Sequence, residues 1–338
     1  MAIVTAKHVS RIQATVVCAK ANGSQICIRS GGDDYEGLFF ILDMFNLRSI
    51  ILDVSRKKAW VQAGATLGEL YTKISDASET LAFPAGVCST VGAGGHISGG
   101  GYGNLMRKYG ITVNKTLEQA GGEPMFSTSG SLSHPNSLKF SLFIRAMPQV
   151  VNRTIAVILY AQFLGRANEL VSIMNQSLTE LELKRQDCQE MSWLNTTLFW
   201  EDLSVGTPTN RPSRPETFFK TKSDYVKKQI PKEGNKKLWK SMLEFNNNVY
   251  MQWNPYGGVM DKVPVTVTPF PHRKGNLFKV QYYTSWLDAN ATIGSPLNMM
   301  KKYEVAEPYM SSNPREAFLN YRDIDIGSKP SGETNVYM

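Results

Sequence analysis

Cysteine and histidine are both scarce, with four of each in 338 residues. Cys18, Cys27, Cys88 and Cys188 show no C-x-x-C spacing and no histidine partner pattern, so no metal is expected. No apolar run approaches the roughly twenty residues that cross a bilayer, and no membrane span is expected. Met1 to Ala19 has polar residues in every apolar stretch and does not read as a signal peptide. A nicotinamide-type fingerprint would need G-x-G-x-x-G between a strand and a helix, with an acidic residue about twenty residues on. That spacing is missing. The formal net charge is +8, but the clusters Arg56-Lys57-Lys58, Lys227-Lys228 and Lys236-Lys237 are short and separated, without interleaved aromatics. Nucleic acid is therefore not an expected partner, and a solvated basic surface explains the charge. A polysaccharide-binding module would rest on charge alone.

What is present is concentrated in one loop. The run from Phe83 through Cys88 to Gly103 places a single thiol in an unusually glycine-dense segment. Glycine permits positive φ and close approach of main chain to a ligand, so this run suggests backbone wrapped around something large, planar or phosphorylated. A second loop, Ile28-Arg29-Ser30-Gly31-Gly32-Asp33-Asp34-Tyr35-Glu36-Gly37, follows a short apolar run.

With 42% hydrophobic residues the chain can bury a substantial core, most naturally in two domains. Val9, Ile12, Val16 and Ala19 predict a helix over 9–20, stopped at Asn22-Gly23. Strands are expected at 48–54 and 59–64, then a helix from Thr66 to Ser78 with Leu67, Leu70, Tyr71 and Ile74 inward. Ile155 to Tyr160 reads as a buried strand. A helix over 166–183 would bury Leu170, Ile173, Met174, Leu178 and Leu181, and another over 235–246 would bury Leu238, Met242 and Phe245. Strands at 249–253, 263–268 and 277–286 suggest an antiparallel sheet covered by helices on one side.

Both glycine loops resemble flavin-binding segments of the plant berberine bridge enzyme-like oxidases, within the vanillyl-alcohol-oxidase-type FAD family. Members typically read R-S-G-G-H-D-Y-E-G and G-V-C-P-T-V-G-x-G-G-H-x-S-G-G-G-Y-G. The resemblance continues in family order through Trp253-Asn254-Pro255-Tyr256-Gly257-Gly258, Pro269-Phe270-Pro271-His272-Arg273, Lys279-Val280-Gln281-Tyr282 and Asn313 to Asp323. It implies an α+β, two-domain PCMH-type FAD-binding fold. The expected division is a partial FAD-binding domain at 1–115, an irregular linker at 116–140, an antiparallel-sheet-plus-helices substrate domain at 141–319, and the start of a return to the FAD domain at 320–338.

The implied activity is FAD-dependent oxidation, with hydride transfer from an alcohol, oligosaccharide or alkaloid-like substrate and O2 as acceptor. Cofactor contacts fall on Arg29, Ser30, Gly31, Gly32, Cys88, Thr90, Val91, Gly92, Gly95 and His96. The resemblance assigns Tyr321 as base, with Lys279 supplying an adjacent cation, Gln281 bonding the substrate oxygen, and Tyr35 and Tyr102 orienting the substrate. Val91 falls on the position that gates oxygen.

The sequence also departs from the family. Asp33 stands where members carry the histidine bonded to the 8α-methyl of FAD, so attachment through Cys88 alone is expected. A stretch of roughly seventy family residues has no counterpart after Tyr109-Gly110, and the front and tail look shortened. The family partner of Cys18 is missing, so Cys18 should be a free thiol. Family members are usually secreted glycoproteins of apoplast, cell wall or vacuole, and sequons at Asn22, Asn114, Asn152, Asn175, Asn195 and Asn290 fit that ancestry. The alternative to an enzyme is a non-catalytic remnant that cannot hold FAD.

Overall fold

The structure, a computed structural model, describes residues 2–33, 40–120, 123–127, 140–149, 154–201, 209, 217–244, 248–287, 301, 303–321 and 323. The chain divides into two compact units. The first comprises Met1–Gly32, Phe39–Ser141 and Ala161–Arg211; the second comprises Asp33–Leu38, Leu142–Tyr160 and Pro212–Met338.

In the first unit, β1 (Ala2–Thr5), α1 (Val9–Ala21), β2 (Cys27–Arg29) and β3 (Phe40–Asp43) come first. They build a parallel three-stranded sheet of order β1-β3-β2. Next come β4 (Ile50–Asp53), β5 (Lys58–Val61) and α2 (Leu67–Ala77), followed by the short helices α3 (Ala93–Ser98) and α4 (Met106–Tyr109). Strands β6 (Thr116–Ala120) and β7 (Glu123–Ser127) complete a second sheet, β4-β5-β7-β6, with antiparallel pairing.

The amphipathic pattern of α2 is realised in full. Leu67, Leu70, Tyr71 and Ile74 are buried with Ala59, Val61, Phe83 and Ala93 in one apolar cluster. A capping box starts this helix. The Glu69 amide donates to Thr66 Oγ1 at 3.3 Å and the Thr66 amide donates to Glu69 Oε2 at 2.9 Å, satisfying donors that a helix start otherwise leaves unpaired. Helix α1 forms as expected, with Gly23 beyond it at φ +61°, but Ala19 is its only buried residue and Val9 and Val16 stay exposed.

Four further expectations change. Residues 155–160 lie in a strand as expected, but Val157, Ile158 and Leu159 are exposed rather than buried. Residues 116–120 and 123–127, expected as irregular linker, pair as a hairpin whose β7 extends the sheet from β5. Helix α5 (Ala167–Ser177) is shorter than its apolar pattern and buries only Ala167 and Met174; Ile173, Leu178 and Leu181 are exposed. Periodicity marks a possible face, and tertiary packing decides how much of it is covered. The first unit ends with α6 (Trp193–Glu201), whose Trp193 ring stands edge-on to Tyr71 at 4.9 Å between centroids.

The second unit is built on a five-stranded sheet of order β10-β12-β11-β8-β9. Its strands are β8 (Phe140–Gln149), β9 (Thr154–Phe163), β10 (Phe218–Val226), β11 (Asn248–Pro255) and β12 (Phe278–Trp286), with α7 (Lys232–Leu243) packed on one face. Leu238 and Met242 of α7 meet Val226, Met251, Trp253, Val280 and Tyr282 in a single core. Phe245 lies outside the described residues. The expected strand over 263–268 is instead a turn, in which the Val267 amide donates to the Pro264 carbonyl at 3.2 Å. Pro264 and Pro269 bracket this segment, and each removes a donor that a ladder would need.

Candidate functional site

The cysteine loop is held by α2. The first helical amides have no partner within the helix, and here they donate to the loop: Leu67 to the Val91 carbonyl at 2.9 Å and Gly68 to the Ser89 carbonyl at 2.8 Å. The Ala93 amide donates to the Ala65 carbonyl at 2.8 Å, closing the loop onto the residue just before the cap. Cys88, just before the first of these anchors, is exposed. The main chain of the loop is thus fixed while its thiol faces outward. The four cysteines form no disulfide with one another.

The far side of the loop is fixed by His96 and Thr112. The Gly86 amide donates to His96 Nε2 at 3.1 Å, and the Thr112 hydroxyl lies 2.8 Å from the Pro84 carbonyl and 2.9 Å from the Gly101 carbonyl. Tyr71 donates its hydroxyl to the Gly86 carbonyl. Burial pushes the His96 pKa down to about 4, so the ring is neutral and its Nε2 accepts. His96 therefore shapes the loop rather than moving protons.

Several glycines serve loop packing. A Cβ on Gly103 would lie 1.7 Å from the Ala85 carbonyl oxygen, and one on Gly92 would lie 2.1 Å from both the Gly31 nitrogen and Ser30 Oγ. The two glycine loops thus touch at Gly92, with Ser30 further bonded to the Ala63 carbonyl and Arg29 ion-paired with Asp43. Gly95 differs: it is exposed, and nothing lies within 4 Å of the Cβ it lacks. Of the expected cofactor residues, Arg29, Ser30, Gly31, Gly92 and His96 build the cradle. Gly32, Cys88 and Gly95 are exposed, and Thr90, Val91 and Tyr102 are half-buried. An exposed thiol at the edge of a hydrogen-bonded, glycine-rich loop fits one edge of a flavin ring.

The second unit carries a separate polar cluster. Side chains alternate along β12, so Val280 and Tyr282 enter the core while Lys279 and Gln281 occupy the opposite face. The register places Tyr225 and Ser223 beside them on β10, and Asn254 and Gln252 on β11. Gln281 donates from Nε2 to Thr221 Oγ1 at 3.0 Å. Lys279 is fully buried, with its Nζ 4.2 Å from the Tyr321 ring centroid and 4.6 Å from that of Phe318. Burial pushes the Lys279 pKa well below its ordinary value. The structure thus joins Lys279 to Tyr321, with the ammonium position over the ring face.

Two of the motifs that carry the resemblance, Trp253 to Gly258 and Pro269 to Arg273, meet around this cluster. His272 stacks on Tyr225 at 4.0 Å between centroids, Tyr256 and Tyr225 hydroxyls lie 3.2 Å apart, and Phe270 stands edge-on to both His272 and Phe318. Tyr35 lies outside the described residues. Asp33 is exposed. The sequence reading missed β10 and its charged side chains, because lysine and aspartate at inward positions hide the alternation that marks a strand.

A thiol-bearing flavin cradle, followed in the chain by an antiparallel sheet with a polar, lysine-centred face, defines a FAD-binding oxidoreductase. A family model described as FAD binding domain matches residues 1–118. Berberine bridge enzyme-like 4 of Arabidopsis thaliana is 59% identical over 415 residues, covering 99% of this chain and 77% of that protein. Two solved structures are similar. BBE-like #28 from Arabidopsis thaliana matches with TM-score 0.87 and 29% identity, over 98% of this chain and 83% of that one. Phl p 4, a grass pollen allergen with glucose dehydrogenase activity, matches with TM-score 0.83 and 31% identity, over 96% of this chain and 80% of that one. The chain belongs to the berberine bridge enzyme-like family of FAD-linked oxidoreductases and has its α+β, PCMH-type fold. The 415-residue aligned span exceeds the 338 residues of the chain, so the relative carries segments without a counterpart here. Among the described residues, no helix is long and apolar enough to cross a membrane, and no acidic, histidine and cysteine group could hold a metal ion.

Proposed function

We propose that this chain is a flavin-tethering oxidase that takes a hydride from an alcohol-type substrate and passes electrons to O2. Alcohols, oligosaccharides and alkaloid-like amines are the candidate substrates. Bound FAD would supply the hydride acceptor and, on reoxidation by O2, yield hydrogen peroxide. Cys88 would tether it through a thioether, and Asp33 offers no second tether, since a carboxylate does not form the stable bond of the family histidine.

The observation that carries this reading is the Lys279–Tyr321 pair. Tyr321 would receive the alcohol proton at its phenolic oxygen, Gln281 would bond the substrate oxygen, and Tyr35 and Tyr102 would orient the substrate. A cation over an aromatic face favours the electron-rich phenolate, whereas a buried amine resists its charge. Removing a general base costs roughly a factor of 10² to 10⁴ in rate. Tyr321→Phe in flavin-loaded protein is expected to slow substrate-driven flavin reduction by that factor; an unchanged rate would take the base role from Tyr321.

Oxygen as acceptor is supported by Val91. A variant of Phl p 4 with valine in place of an isoleucine is a glucose oxidase, whereas the parent has glucose dehydrogenase activity. Val91→Ile is expected to slow flavin reoxidation by O2 and leave reduction by substrate unchanged, as stopped-flow absorbance would record. A second reading, a chain that cannot hold FAD, is favoured by the family segments without a counterpart here. Flavin absorbance of the purified protein separates the two.

A further inference from the structure

Three buried or half-buried charges, Lys220, Lys222 and Asp224, lie along β10 without any contact that the proposed chemistry calls for. Asp224 is fully buried and bound by Arg315, which donates from Nε at 2.7 Å to one carboxylate oxygen and from a terminal nitrogen at 2.8 Å to the other. The same guanidinium lies 3.4 Å from the Tyr303 ring centroid and donates to the Tyr303 carbonyl at 3.1 Å. Lys222, equally buried, is ion-paired with Asp323, whose other oxygen lies 3.2 Å from Lys220 Nζ. Two backbone donors join this latch: the Ser311 amide bonds the Tyr225 carbonyl at 2.7 Å, and the Phe318 amide bonds Ser223 Oγ at 2.9 Å.

The spacing of these contacts decides where Tyr321 goes. Lys222 and Asp224 are two residues apart on one face of the edge strand β10, about 7 Å, while Ser223 between them points to the other. The segment therefore starts at Arg315 on the core face and crosses the strand edge to meet Ser223 with Phe318. It returns at Asp323 to Lys222. Tyr321 falls on the excursion, on the face that carries Lys279. Burying these charges is costly, and an apolar pair would hold the segment as firmly. What ion pairs add is a single register: shifting the segment by one residue would leave two buried charges unmatched.

We infer that Asp224–Arg315 and Lys222–Asp323 are positioning pairs that bracket Tyr321 and set its ring over Lys279. This rests on the base role proposed for Tyr321.

The test uses full-length, flavin-loaded protein. Asp323→Asn leaves Lys222 unmatched and can unfold the chain, so the decisive variant is the double change Lys222→Met with Asp323→Leu, which removes both charges. Two aromatic faces shift the Lys279 ε-protons upfield in NMR of lysine-labelled protein. In the double variant that upfield shift should largely vanish while the melting temperature stays within a few degrees. Flavin reduction by cinnamyl alcohol should lose about a hundredfold in kcat, with KM within twofold, the penalty of a base displaced by about 1 Å. Lys222→Arg should keep both signals. An unchanged Lys279 shift, or an unchanged kcat, in the folded double variant overturns the positioning role. Tyr321→Phe is run beside it. If that variant reduces flavin at the wild-type rate, the base reading has failed and the inference falls with it; if it is slow and the double variant is not, only the positioning role has failed.

Discussion

His96 and His272 tie the stability of each unit to pH. Burial pushes both pKa values down to about 4 from an ordinary value near 6.5, with neighbouring cations adding to the effect at His272. The unfolded chain thus binds protons between pH 6.5 and 4 that the folded chain does not. Their contribution is fully present above pH 6.5 and is lost as pH falls toward 4, on the order of 3 kcal/mol for each histidine. Thermal melts at pH 7 and pH 5 should show a clear drop at the lower value. His96→Gln, which keeps an acceptor for the Gly86 amide, should remove the part due to His96. Equal melting temperatures at the two values would contradict the assignment. Residue identity alone showed Cys88 as the sole thiol of its loop, and the family resemblance implied Lys279 as the cation beside Tyr321. It could not show that Ser30, Gly92 and His96 hold the cradle together, because that depends on what each side chain meets across the fold.

At the scale of elements, α2 was legible because the spacing of Leu67, Leu70, Tyr71 and Ile74 matches the face it buries, and its capping box agrees with that start. Thr66→Ala removes one capping acceptor and should cost about 1 kcal/mol, read as a lowered denaturant midpoint at unchanged slope. Gly103→Ala is the sharper test. Its Cβ would lie 1.7 Å from the Ala85 oxygen, and backbone cannot give way as a flexible side chain can. The variant should therefore lose the loop and its flavin together, with flavin content per chain as the measurement; a fully loaded variant would refute the packing role. Two misreadings have different causes. Strand β10 carries Lys220, Lys222 and Asp224 where a core face would be apolar, and their partners, Asp323 and Arg315, lie far along the chain, Arg315 being 91 residues from Asp224 and Asp323 being 101 from Lys222. The proline-bracketed turn at 263–268 mimicked a strand through its alternating valines.

At the scale of the whole molecule, the chain keeps the flavin cradle and the lysine-centred sheet face, while its relatives carry segments inside the aligned span that it does not. The family was readable from motifs in order along the chain. Whether the chain binds its cofactor is a property of the folded whole rather than of its motifs. The most direct measurement is flavin absorbance of purified protein before and after acid precipitation, for wild type and Cys88→Ala. Wild type should give a yellow pellet, and Cys88→Ala a colourless pellet with a yellow supernatant. A soluble wild-type protein that is colourless and takes up no FAD on reconstitution would contradict this, as would flavin that stays in the Cys88→Ala pellet.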